Sequence, residues 1–137
     1  MRVFFDSSAF AKRYIREAGT DAVLAWCERA TEIGLSAVAL PEIISMFCRL
    51  RREGVITQAQ YRQLKSQLLL DIEDVAICDL TASVLERTIA CLEINPVRSL
   101  DALHVGSAVA LEAHVFLSAD KRQLAAAARA GLRVEAV

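Results

Sequence analysis

Short apolar runs alternate with amphipathic stretches of helical period along the whole chain. Arg2–Phe5 predicts a buried strand, and Gly34–Val38, Val75–Cys78, Val115–Ser118 and Leu132–Val137 predict further strands. Between them lie helix signals. Ser7 and Ser8 predict a cap for a helix over Ala9–Arg16, ended by Gly19. Thr20 and Asp21 begin a second helix through Val23, Trp26 and Cys27. Pro41–Glu53 predicts a third, with Pro41 in its first turn and Gly54 as its stop. Thr57 caps a helix through Tyr61, Leu64 and Leu68, and Thr81 caps one through Leu85, Ile89 and Leu92 that Asn95-Pro96 breaks. Ser99 caps a very apolar helix from Leu100 to about Ala113, and Asp120–Ala130 is the last. This alternation predicts an α/β fold: a mostly parallel central sheet with helices on both faces. No linker, low-complexity tract or repeat interrupts residues 1–137, which read as a single domain.

Composition narrows the picture. The hydrophobic fraction is 55% and the aromatic fraction 6%, so the core is aliphatic and Ala-rich. The N-terminus lacks the apolar h-region of a signal peptide, and no uncharged apolar stretch reaches the ~18 residues of a membrane span. The expectation is a soluble, cytoplasmic protein. Cys27, Cys48, Cys78 and Cys91 form no C-x-x-C pair and have no histidine at metal spacing. They read as reduced, buried small hydrophobes. Net charge is −1, with arginine supplying 13 of the 16 basic residues. Arginine grips phosphate through a planar fork that lysine cannot reproduce.

Four acids follow apolar residues or runs: Asp6 after Val3-Phe4-Phe5, Glu42 after Leu35–Pro41, Asp101 after Leu100, and Asp120 after Val115–Ala119. Each alone is explained by helix starts, where a carboxylate meets free N–H groups and the positive dipole end. Asp120 with Gln123 even has capping-box spacing. As a set they predict more. Loops beyond the carboxyl ends of parallel strands line the ligand crevice. Carboxylates gathered there without cysteine or histidine suit a hard divalent cation such as Mg²⁺. Like charges so placed raise each other's pKa unless a cation neutralises them.

The chain resembles a known family in these segments. Asp6-Ser7-Ser8-Ala9-Phe10-Ala11-Lys12-Arg13-Tyr14 resembles the opening of PIN-domain proteins of the VapC toxin type. Leu40-Pro41-Glu42 resembles the family's second acidic position. Arg98-Ser99-Leu100-Asp101-Ala102-Leu103-His104 resembles its R-x-L-D-A-L-H segment, and Leu117-Ser118-Ala119-Asp120 its closing T-A-D segment, with serine for threonine. The resemblance implies a PIN-like three-layer α/β/α sandwich and a Mg²⁺- or Mn²⁺-dependent endoribonuclease. It implies the toxin of a toxin–antitoxin pair, acting on RNA as a homodimer and blocked by a VapB-like antitoxin. By that likeness Asp6, Glu42, Asp101 and Asp120 form the catalytic metal pocket, and the hydroxyls of Ser7 and Ser118 orient a ligand or water.

Other residues carry alternatives. Lys12, Arg13 and Arg16 either grip RNA phosphates beside the pocket or form a solvated helix face. Arg49, Arg51 and Arg52 read as cations at a helix C-terminus. Arg98 is a contact for an acid, for substrate or for an antitoxin carboxylate. His104 lies one turn after Asp101, which invites a metal or acid–base role, but among Leu103, Val105 and Gly106 it reads rather as a hydrogen-bonded core histidine. The rival function is a non-catalytic PIN module that binds RNA or a protein. A nucleotide-binding or receiver-like domain fits less well, since no Gly-rich phosphate loop occurs and only one acid follows the first strand.

Overall fold

A computed structural model describes residues 1–137. The elements are β1 (Arg2–Phe5), α1 (Ser7–Ala11), α2 (Thr20–Arg29), β2 (Glu32–Ser36), α3 (Ala39–Arg52), α4 (Gln58–Asp71), β3 (Ala76–Cys78), α5 (Ala82–Ile94), α6 (Ser99–Ala110), β4 (Val115–Ser118), α7 (Lys121–Arg129) and β5 (Arg133–Ala136). A single 3-10 turn at Ile72–Asp74 leads into β3.

The strands form one five-stranded sheet in the order β3-β2-β1-β4-β5, and every neighbouring pair is parallel. The chain builds outward from β1 to β3, then crosses back to place β4 on the other side of β1. The order therefore reverses between β1 and β4, and a crevice opens beyond their carboxyl ends.

Period-2 alternation splits the core into two layers. Val3 and Phe5 of β1 and Val115 and Leu117 of β4 pack with Phe10, Val23, Ile43, Phe47 and Leu68 of α1–α4. Phe4 and Phe116 point the other way, stacked 5.8 Å apart, against Cys91, Val105 and Ala126 of α5–α7. Burial on both faces explains why these strands read as continuous apolar runs.

Two helix starts differ from expectation. Asp6, not Ser7 or Ser8, caps α1: its side chain accepts from the Ala9 N–H. Arg98 occupies the N-cap of α6, with Ser99 already helical. Thr57 and Thr81 do cap α4 and α5, and Thr57 with Gln60 completes a capping box. Strand β2 begins two residues early because Glu32 pairs with Arg2 across β1, in register and through an ion pair at 2.7 Å. Helix α6 stops at Ala110, ahead of the left-handed Glu112 (φ 55°).

Helices α5 and α6 touch at Gly106. A Cβ there would lie 2.6 Å from Thr88 Oγ1 and 3.1 Å from both the Thr88 nitrogen and the Val84 carbonyl oxygen. Thr88 cannot swing aside freely, since its hydroxyl donates to that carbonyl at 2.8 Å. Overpacking costs about 1–3 kcal/mol, while Ala over Gly in a helix returns about 1 kcal/mol. Gly106→Ala is expected to lose about 1 kcal/mol net in urea unfolding, since two of the three close atoms are backbone. A gain in stability would show that the helices can separate at no cost.

Candidate active site

The structure brings Asp6, Glu42, Asp101 and Asp120 into one cavity of about 260 Å³, with Ser7, His104 and Gln123. Each acid arrives on a different element. Asp6 ends β1, Glu42 sits in the first turn of α3, Asp101 in the first turn of α6, and Asp120 caps α7 after β4.

Hydrogen bonds tie them into two groups. Asp6 Oδ1 accepts the Ala9 N–H at 2.8 Å, and its Oδ2 accepts the Ser118 hydroxyl at 2.6 Å. Ser118 Oγ in turn accepts the Asp120 N–H at 2.9 Å. Asp120 Oδ1 accepts the N–H groups of Arg122 and Gln123. The Gln123 side chain does not return to the cap; its Nε2 donates to Asp101 Oδ1 at 3.2 Å. In the second group Glu42 Oε1 receives the Ser7 hydroxyl at 2.7 Å and lies 2.7 Å from His104 Nε2.

Asp6 is only 3% exposed, and burial pushes its pKa up against the opposing bonds from Ser118 and Ala9. Burial also raises Asp101, and the neighbouring Asp120 carboxylate adds to the rise. Glu42 goes the other way. Burial pushes it up, but the hydrogen bonds from His104 and Ser7 outweigh that and leave it lowered. No lysine or arginine pairs with any of the four acids.

Donor chemistry fits a divalent cation: the acids are oxygen ligands, one is buried without a counter-charge, and Glu42 Oε2 and Asp120 Oδ2 accept no protein hydrogen bond. The carboxylates are not drawn to ligand distance, however; no group of three acids, histidines or cysteines is set to hold an ion. A cation would have to gather them.

The expected basic contacts lie elsewhere. Lys12 is 8% exposed and its ammonium donates to the Ala18 carbonyl, locking the link between α1 and α2. Arg13 is taken up by Asp71 at 3.6 Å and the Phe10 ring, and Arg16 by Asp21 at 3.0 Å. Arg98 does border the site. It stands between two grooves, one shared with Glu42 and Arg49 and one with Asp101, Asp120 and Arg122. His104, expected as a core residue, is buried but reaches the acids. Arg122 and the Gln123 side chain went unread as site residues. The available signal was helical spacing: His104 and Gln123 each lie three residues after an acid, on the same face.

A wholly parallel three-layer α/β/α domain with four acids at its switch point is the architecture defined here. A family model for the PIN domain matches residues 3–129, and the chain belongs to that family. The fold is similar to solved structures over nearly the whole chain. VapBC2 from Rickettsia felis, bound to a DNA fragment from its promoter, matches at TM-score 0.70 and 14% identity, over 100% of this chain and 99% of that one. FitAcB from Neisseria gonorrhoeae matches at TM-score 0.73 and 13% identity, over 96% and 95%. VapC20 of Mycobacterium tuberculosis, a sarcin-ricin loop cleaving toxin, matches at TM-score 0.68 and 18% identity, over 90% and 94%. At these identities the likeness is one of fold. No curated protein sequence matches the chain.

The pKa shifts make the site's cost measurable. Unfolded, Asp6 and Asp101 titrate near the ordinary value of about 4; folded, both are raised. The folded protein therefore binds more protons in the window above about 4, so these groups add stability as pH falls through their folded values. Glu42 is opposite: its contribution is present above the ordinary value and is lost as pH falls through its lowered one. In urea unfolding with chelator, the advantage of Asp101→Asn over the parent is expected to be larger near neutral pH than near about pH 4.5. An advantage that grew on acidification would contradict the raised Asp101.

Proposed function

We propose that the chain is a Mg²⁺- or Mn²⁺-dependent endoribonuclease, the toxin of a toxin–antitoxin pair. The observation that carries this reading is the buried Asp6 carboxylate joined in one cavity by three further acids, with no lysine or arginine lining it. Such a cluster is costly unless it holds a positive ion for chemistry. PIN-family membership supports a nuclease, and the fold's likeness to VapBC and FitAcB supports the toxin context.

In this reading Asp6, Glu42, Asp101 and Asp120 hold the ion. A divalent cation bound by such carboxylates lowers the pKa of a coordinated water and offsets charge on the attacked phosphodiester. The chain's own residues do the rest. Ser118 holds Asp6 and Asp120 in one register through its two hydrogen bonds. Glu42 Oε2, free of protein donors, is available to orient a water. Arg98, Arg49 and Arg122 make no ion pair and border the acids, placed to take flanking phosphates.

Partners follow the same logic. A VapB-like antitoxin has a half-apolar groove of about 840 Å³ lined by Tyr14, Ile15, Leu64 and Leu70, sharing no residue with the acidic cavity. For the homodimer, α5 exposes Leu85, Ile89 and Leu92 in one row, with Ile77 and Leu80 exposed at the adjoining sheet edge. No helix is long and apolar enough to cross a membrane; the proposed place of action is the cytoplasm, where the RNA is.

Purified protein is expected to cut RNA with Mg²⁺ or Mn²⁺, to stop in EDTA, and to lose nearly all of its activity on Asp6→Asn. Cleavage that survives both would refute the pocket. Saturable RNA binding without cleavage at high metal would instead favour a non-catalytic PIN module. Ile89→Glu is expected to convert dimer to monomer in sedimentation, and an unchanged mass would move the interface off α5.

A further inference from the structure

We propose that His104 is a positioning residue that fixes the Glu42 carboxylate, and that its place in the fold is set by this task rather than by packing. The inference rests on the nuclease reading for its consequence, but its geometry stands independently.

His104 lies one helical turn past Asp101 on α6 and is 2% exposed. Its Nε2 is 2.7 Å from Glu42 Oε1 and 3.1 Å from Ser7 Oγ. A carboxylate only accepts, so the hydrogen belongs on Nε2, which donates to Oε1. Ser7 has one hydroxyl hydrogen, and it also goes to Glu42 Oε1, at 2.7 Å. That bond leaves Ser7 Oγ able to act toward His104 only as an acceptor. The tautomer is therefore determined by its neighbours. One Glu42 oxygen is held by two donors from opposite sides of the sheet, α1 and α6, while Oε2 keeps both lone pairs.

Glu42 needs this more than the other acids do. It has the longest side chain of the four, arises from a first turn with no backbone N–H bonded to its carboxylate, and is the only one outside the Asp6–Ser118–Asp120–Gln123–Asp101 chain. Without His104 a single hydroxyl would anchor it.

The other ring nitrogen argues against a packing role. Nδ1 is buried and has no hydrogen-bond partner. A side chain present only to fill the core would carry an uncompensated polar atom there, which an aliphatic group avoids. What an imidazole offers here despite the unpartnered Nδ1 is the bond made by Nε2.

Two measurements decide it, one of them independent of activity. Imidazole ¹⁵N NMR of the metal-free protein should show His104 with Nε2 protonated and Nδ1 bare, and that signal should move on Glu42→Gln. The only other histidine, His114, is removed from the spectrum by His114→Asn. A His104 protonated at Nδ1 alone, or blind to Glu42→Gln, overturns the proposal. The second measurement is RNA cleavage. His104→Leu should lower kcat about 10- to 100-fold with KM little changed, the usual range for groups that orient ligands. His104→Gln, whose Nε2 can occupy a similar place, should restore most of it. In a Glu42→Gln background, His104→Leu should cost no more. A folded His104→Leu protein with parental kcat, or effects that multiply in the double variant, would refute the role. If the parent protein cuts no RNA, the nuclease reading fails while the NMR result still decides the geometry.

Discussion

Asp6 carries a carboxylate at the carboxyl end of the central strand, buried at 3% exposure with strands paired on both sides of it. Water cannot solvate it, so the fold must. One oxygen takes a backbone N–H from the first turn of α1, and the other takes the hydroxyl that ends β4. These two bonds set where α1 begins and how β4 lies against β1. Through Ser118 they also place Asp120 and hence the start of α7. Cap, strand register and site are one set of hydrogen bonds. The bonds lower Asp6's pKa, yet burial still wins and leaves it raised. That residual cost is what a bound cation would relieve.

The site is assembled from both core layers. Ser7 and Glu42 come from α1 and α3, whose apolar faces pack on one side of the sheet; Asp101, His104 and Gln123 come from α6 and α7 on the other. Neither layer alone gathers four acids. The Glu42–His104 contact bridges them directly over the sheet's carboxyl edge. Close α5–α6 packing therefore bears on the site's geometry: the tight approach at Gly106 fixes the height of α6, and with it Asp101 and His104.

Much of this was legible in the chain. Continuous apolar runs marked β1 and β4, because the middle of a sheet covered on both faces leaves no polar side to alternate, whereas edge strand β5 alternates Arg133 and Glu135 with Val134 and Ala136. Thr57 and Thr81 announced their helices, since a hydroxyl cap has one common use. Asp6 and Arg98 were harder. Capping and catalysis use the same chemistry, so Ser7 and Ser8 drew the cap reading while Asp6 held the bond. His104 looked structural because burial was legible and direction was not. Its apolar neighbours predict a buried side chain, but only the sheet order shows that the buried end reaches Glu42. Lys12 failed for the opposite reason. A lysine after an acid reads as exposed charge, whereas here its stem is buried and its ammonium closes the α1–α2 link onto the Ala18 carbonyl.

A net charge of −1 gives no reason for a polyanion to approach. The distribution does. The negative charge is recessed in a small cavity, while Arg49, Arg98 and Arg122 stand at its borders with no carboxylate bound. At physiological salt the Debye length is about 8 Å, so a phosphate in either groove feels the nearby arginines more than the distant surface. A phosphate over the cavity itself would meet four acids and be repelled unless a cation lay between. On the proposed function, then, metal and RNA must favour each other's binding, because each removes a repulsion the other would face. On that reading the same repulsion would keep RNA off the metal-free site, and metal occupancy would be a condition of productive binding as well as of chemistry.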